Sequence, residues 1–220
     1  MNTVDLLIFD LDGTLIDSKL DLAHAVNAAR GHAGMEPLDN ETVYSYVGEG
    51  APTLIRRALG PGASDEMVRS ALEFFLAYYN QHLIDYTLLY PGVRETLDRL
   101  TSGGVRMAVL TNKPVRMSKA IVEALGVASH FAQVYGGNSF EQKKPHPVGI
   151  ETLVTECGVT RDRTMMVGDS AVDIRTARNA EVQVCGVTYG FQPETLIEHP
   201  PDLLVDRIEQ LGDWVLCVGN

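Results

Sequence analysis

Asp10 and Asp12 stand two residues apart at the end of an aliphatic run, Leu6-Leu7-Ile8-Phe9-Asp10-Leu11-Asp12-Gly13-Thr14. Side chains two apart on extended backbone project to the same side, so the two carboxylates can face one small volume. Like charges that close call for a cation or a shared proton. On these residues alone two readings stay open: a reactive pair, or a hairpin turn at Asp12-Gly13 with Asp10 merely marking the strand's end.

Three further segments carry chemistry. Thr111-Asn112-Lys113-Pro114 offers a hydroxyl and an amide leading into a helix whose free backbone N–H groups suit a phosphate. Lys143-Lys144-Pro145-His146-Pro147 and Gly168-Asp169-Ser170-x-x-Asp173 add ammonium groups and more carboxylates. Together they form the inventory that phosphate chemistry with a hard divalent cation needs. Each segment also has a plain structural reading. Thr111-Asn112 is a possible helix cap, Pro114 an early-helix proline, Ser170 with Asp173 a capping box, and Lys144 a solvated loop lysine.

The elements that must position these groups follow from the hydrophobic pattern. Val4 to Phe9 has no polar alternation after Asp5, as in a strand buried on both faces of a parallel sheet. From Val105 on, strand-like runs at 105–110, 132–135, 164–167, 182–187 and 203–205 alternate with helical patterns at 114–125, 148–157 and 172–180. This alternation predicts an α/β fold, a Rossmann-like parallel sheet with helices on both faces. Each chemical segment then follows a strand, where open parallel sheets bind their ligands.

Between Asp17 and Asp85 the pattern is helical only, at 20–30, 51–59 and 65–82, with turn signals between and no convincing strand. An insert of that length is far longer than an ordinary connection and reads as a second small domain. The expected division is a core of residues 1–16 and 86–220 and a helical domain of residues 17–85.

The chain of 220 residues has 45% hydrophobic and 21% charged residues, an ordinary globular composition. Its net charge of -11 argues against non-specific binding to nucleic acid or anionic membranes. It leaves room for an anionic substrate, since a few placed cations dominate a small pocket. Lysine is confined to positions 19, 113, 119, 143 and 144, so each position is informative. Met1-Asn2-Thr3 leads straight into the first strand without a basic segment or cleavage site, and no run is long enough to span a bilayer. Cys157, Cys185 and Cys217 suit neither a disulfide framework nor a Cys-x-x-Cys metal site. The expectation is a cytoplasmic protein.

The set Asp10-x-Asp12-x-Thr14, Thr111, Lys144-Pro145 and Gly168-Asp169-Ser170-x-x-Asp173 resembles the four motifs of the haloacid dehalogenase-like superfamily, and the insert resembles that superfamily's helical cap. The resemblance spans essentially the whole chain. Tyr46-Val47-Gly48-Glu49-Gly50 with Arg57-Ala58-Leu59, and Leu110 to Pro114, are similar to phosphoglycolate phosphatases within it, on softer motifs.

That resemblance implies roles. Asp10 becomes the nucleophile that forms an aspartyl-phosphate, and Asp12 the general acid and then base. Mg2+ is expected on the Asp10 carboxylate, the Asp12 backbone carbonyl and Asp169, with Asp173 as support or helix cap. Thr111, the Asn112 amide and Lys144 are expected to hold the phosphoryl oxygens, Lys144 preferred over Lys143 because it directly precedes Pro145. The cap is expected to read the leaving group through Glu49, Gly50 and Arg57, whose neighbour Arg56 points about 100° away on the helix. Gly48-x-Gly50 is no dinucleotide fingerprint, because residue 53 is Thr and no strand precedes it.

The implied substrate is a small phosphate monoester, 2-phosphoglycolate first. A pyrophosphatase or a broad sugar-phosphate or nucleotide phosphatase remains the main alternative. A phosphonate hydrolase needs a cap lysine, and none lies between Leu20 and Asn112. A dehalogenase of this superfamily typically lacks the acid at Asp12. A phosphomutase usually has a cap histidine where Leu22 falls, and a non-catalytic phosphoryl-binding module usually loses one of Asp10, Asp12, Lys144 and Asp169. Whether the chain is a monomer or a weak dimer stays open.

Overall fold

The computed structural model describes residues 4–217. Met1-Asn2-Thr3, the last three residues of the tail and the side chain of Cys217 lie outside the described residues. The first strand, β1 (Leu6–Phe9), is buried at all four positions, as its unbroken aliphatic sequence requires. A two-residue strand, β2 (Ile16–Asp17), then leads into helices α1 (Lys19–His32), α2 (Asn40–Tyr44), α3 (Ala51–Leu59) and α4 (Asp65–Gln81). The chain returns through β3 (Leu88–Leu89), antiparallel to β2 with Ile16 opposite Leu89.

The sheet is completed by β4 (Arg106–Leu110), β5 (Gln133–Tyr135), β6 (Thr164–Gly168), β7 (Gln183–Val187) and β8 (Leu203–Val205). Between them run α5 (Val93–Ser102), which precedes β4, then α6 (Val115–Ala124), α7 (Val148–Cys157), α8 (Ala171–Asn179), α9 (Thr195–Glu198) and finally α10 (Ile208–Cys217). All pairings among the six strands are parallel, in the order β5-β4-β1-β6-β7-β8. Alternation along β1 divides its side chains. Leu7 and Phe9 join a core with α5, α6 and α10, while Leu6 and Ile8 join one with α7 and α8.

The inserted helices enclose a third apolar core. In α4 the buried residues are Val68, Ala71, Phe75 and Tyr79, spaced three, four and four apart on one helical face. Ser64 starts this helix by accepting a hydrogen bond from Met67 N at 3.2 Å, and Asp65 and Glu66 suit its N-terminal dipole. The same core takes in Met117 of α6, so the insert is packed onto the sheet domain rather than held off it.

Differences from the sequence expectation are local. The ribbon of β2 and β3, at the two ends of the insert, was not expected, because two residues carry no periodicity to read. The short α2 and α9 were also missed, as were α5 and α10. No helix among the described residues is long and apolar enough to cross a membrane.

Candidate active site

The strands β1, β4 and β6 end level with one another, since Phe9 pairs with both Val109 and Val167. The residues that follow, Asp10, Thr111 and Asp169, therefore meet at one sheet edge. Asp10 donates its backbone N–H to Val167 O at 2.9 Å, which extends the ladder one residue and fixes where the carboxylate emerges. Its Oδ1 accepts from Leu11 N at 2.7 Å and stands 3.0 Å from Lys144 Nζ.

Lys144 is buried and also donates to Asp173 Oδ1 at 2.7 Å. Asp173 has no exposure, and its Oδ2 accepts from Ser170 N at 3.2 Å and Ser170 Oγ at 2.8 Å. Asp173 therefore closes the capping box of α8, as one sequence reading had it, and also holds the lysine facing Asp10. Lys143 is exposed and reaches the Glu49 carbonyl at 2.5 Å instead. The preference for Lys144 agrees with this geometry.

Carboxylate oxygens of Asp10, Asp169 and Asp173 lie within 4.8 Å of one another, all buried. Burial, opposed by Lys144 and reinforced by Asp173, pushes Asp10 up to about 6. Burial and the charges of Asp173 and Asp10 push Asp169 up to about 8, despite N–H donors at Phe191, 2.6 Å away, and Gln192. Asp10 and Asp173 in turn raise Lys144 against the cost of its burial. Three carboxylates around one ammonium leave excess negative charge in a dry site, and an all-oxygen donor set of this kind fits a hard divalent cation.

Close packing defends that arrangement. Gly13 has φ 81°, and a Cβ there would come 2.3 Å from Asp169 Oδ2. A Cβ on Gly190 would come 2.2 Å from Asp169 Cβ. Only glycine fits either place.

The Asp12 carboxylate is apart from the cluster. Its Oδ1 accepts from Ser18 Oγ at 2.6 Å and Lys113 Nζ at 2.8 Å, and its Oδ2 from Lys113 Nζ at 3.0 Å. Two carboxylates that leave one strand end together thus face different cations. Ser18, Lys113 and Tyr79, whose hydroxyl accepts from Lys113 at 2.6 Å, were not singled out from sequence. The scarcity of lysine and the place of Lys113 directly after Thr111-Asn112 were the usable signals. Tyr79 had none, because it reads as one more residue of the apolar face of α4.

Thr111 is buried, and its Oγ1 accepts from Lys113 N at 3.3 Å. The Asn112 side-chain amide donates to Gly48 O and to Lys144 O, each at 3.1 Å, and so ties the insert to the loops after β4 and β5. Gln192, on a loop without any sequence motif, does the same by donating to Ser45 O at 3.0 Å and Val47 O at 2.9 Å.

Between the insert and the sheet edge lies a cavity of about 50 Å3, lined by Asp10, Asp12, Thr111 and Lys113 below and by Leu54 and Phe75 above. Gly48 and Gly50 line it as well. Glu49 and Arg57 do not: they pair at 2.5 Å on the surface, 45% and 38% exposed. The cause lies in α3, which buries Ala51, Leu54, Ile55, Ala58 and Leu59 and leaves both Arg56 and Arg57 outward. Arg56 pairs with Asp65 at 2.5 Å.

Fold and site together define a haloacid dehalogenase-like hydrolase: residues 7–187 match the model of that family, and the chain belongs to it. It is similar to a phosphoglycolate phosphatase of Vibrio vulnificus, 39% identical over 97% of this chain and 96% of the relative. One from Pseudomonas putida is 39% identical over 94% of this chain and 78% of its own. A crystal structure described as a predicted phosphoglycolate phosphatase from Haemophilus somnus superposes with a TM-score of 0.91 at 32% identity, covering 100% of both chains.

Proposed function

We propose that this chain is a magnesium-dependent phosphatase of small phosphate monoesters, with 2-phosphoglycolate as the first candidate substrate. The observation that carries this reading is the pairing of Asp10 with Lys144 at 3.0 Å, at the sheet edge where Asp10, Thr111 and Asp169 line a small cavity.

Asp10 attacks phosphorus, and the bond to the leaving oxygen breaks as the aspartyl-phosphate forms. Asp12 protonates the departing alkoxide and then takes a proton from the water that releases phosphate from Asp10. Thr111, Asn112 and Lys144 hold the nonbridging oxygens through transfer. Asp10, the Asp12 carbonyl and Asp169 would hold magnesium, which when bound would offset the repulsion between anionic nucleophile and anionic substrate. Asp173 acts behind this set by fixing Lys144.

The insert, residues 17–85, closes as a cap over the core of residues 1–16 and 86–220 and excludes water. Gly48 and Gly50 bring backbone to the leaving group, while the Glu49 and Arg57 side chains brace the cap loop from outside. A cavity of about 50 Å3 is well below the roughly 300 Å3 and more of drug-sized sites, which favours a leaving group of a few heavy atoms over a nucleoside or hexose. The protein works in a reducing cytoplasm, where Cys157 and Cys185 remain free thiols, as a monomer or weak dimer.

A phosphate-release panel of 2-phosphoglycolate, pyrophosphate, hexose phosphates and mononucleotides, with Asp10→Asn as control, tests the reading. The expected result is the highest kcat/KM on 2-phosphoglycolate and none above background in Asp10→Asn. Preference for pyrophosphate or nucleotides would overturn the substrate assignment, and undiminished activity of Asp10→Asn would overturn the mechanism.

A further inference from the structure

Lys113 follows β4 and is buried, with its side chain 3% exposed. It lines the cavity, while the proposed function gives the phosphate to Lys144. Its ammonium has three N–H groups and three partners: Asp12 Oδ1 at 2.8 Å, Asp12 Oδ2 at 3.0 Å and Tyr79 Oη at 2.6 Å. The Nζ also lies 4.6 Å from the centroid of the Tyr79 ring. A lysine saturated in this way has no donor left for substrate. It instead fixes the plane and direction of the Asp12 carboxylate.

The arrangement is asymmetric. Oδ1 of Asp12 accepts from both Ser18 and Lys113, while Oδ2 accepts from Lys113 alone. Oδ2 therefore keeps a free lone pair for proton exchange with a leaving oxygen. Asp12 and Lys113 belong to the sheet edge, but Tyr79 belongs to the last turn of α4, in the insert. Tyr79 is buried, and its ring packs on Phe75 with centroids 5.6 Å apart. The phenol thus reaches Lys113 only while α4 is seated on the core.

We propose that Lys113 and Tyr79 are a positioning pair, through which docking of α4 onto the sheet edge sets the Asp12 carboxylate for proton transfer. Lys113 orients the acid, and Tyr79 completes the lysine's coordination by oxygen once the cap is seated. A buried ammonium short of one partner turns toward water or toward one carboxylate oxygen, and Asp12 turns with it. The proposal rests on the acid role of Asp12 given above.

The test measures leaving-group release in a single turnover by wild type, Lys113→Met and Tyr79→Phe. Two substrates are compared: the alkyl phosphate that wild type cleaves fastest, and para-nitrophenyl phosphate, whose leaving group departs without a proton. Positioning of the acid predicts alkyl-phosphate cleavage slowed by about 10²-fold in Lys113→Met and ~10-fold in Tyr79→Phe, with nitrophenolate release slowed by less than ~3-fold. Equal slowing on both substrates would mark a merely structural role and overturn the proposal, as would no slowing on either. Tyr79→Phe keeps the packed ring and loses only the oxygen, so it decides the matter if Lys113→Met fails to fold. Wild type inert toward both substrates would overturn the hydrolase reading itself, a different failure.

Discussion

Lys144 stands 3.0 Å from Asp10 and 2.7 Å from Asp173, so one ammonium holds the Asp10 carboxylate with one hand and a buried anchor with the other. The ion pair is almost dry, with the lysine side chain 2% exposed, and its geometry is set from both sides. A surface pair would be screened and mobile; this one is neither.

Lys144→Met keeps most of the stem and removes the charge. Phosphate release is expected to fall by about 10² to 10³-fold, the usual loss when one donor to a developing charge is removed. Steady-state kinetics would check it, and Lys143→Met, altered at an exposed side chain, should stay within ~3-fold. Equal losses in the two variants would reverse the assignment of the ammonium.

Stability should depend on pH and magnesium together. Asp10 and Asp169 are raised to about 6 and about 8 from an unfolded value of 3.8, so the folded state holds protons that the unfolded chain gives up. Metal-free stability is therefore greatest below about pH 4 as far as these groups decide, and falls as pH rises through 6 and 8. On the proposed function a cation would replace those protons. The rise in melting temperature on adding Mg2+ should be larger at pH 8 than at pH 5, as differential scanning calorimetry would report.

Gly13→Ala forces a side chain into the left-handed region and against Asp169 Oδ2 at 2.3 Å. The strain is worth about 1–3 kcal/mol, read as a lower melting temperature. A weakened magnesium requirement curve should accompany it, with the half-saturating concentration shifted up by ~10-fold or more, a 1.4 kcal/mol effect or larger on binding.

Arg57→Ala provides the converse case. The Arg57 and Glu49 side chains are 38% and 45% exposed and lie off the cavity, and such a pair contributes roughly 0–1 kcal/mol. KM for the small substrate should change less than ~3-fold, in contrast to a substitution at Gly50, which lines the cavity and has φ 88°.

Much of this architecture was legible in the chain because the groups that matter follow strands. The unbroken apolar runs at β1, β4 and β6 give parallel pairing, and parallel pairing brings Asp10, Thr111 and Asp169 to one edge. The roles of Asp173 and Lys144 followed from motif resemblance, and their contact with each other emerged only in three dimensions. The contacts of Lys113, Tyr79 and Gln192 could not be read for a different reason. Their roles depend on how the insert seats on the core, a contact between residues as far apart as Tyr79 and Lys113, and no local period encodes it. Glu49 was expected at the cavity because it sits between the loop glycines, and Arg57 because it matches the family pattern. The apolar face of α3 settles their direction instead.

The most direct test of Asp10 as nucleophile is chemical trapping of its acyl phosphate. Enzyme quenched during turnover and treated with borohydride is digested and mapped by mass spectrometry. Conversion of Asp10 to homoserine, dependent on substrate and absent in Asp10→Asn, is the expected result. Modification at Asp12, or phosphate release with no residue trapped, would contradict it.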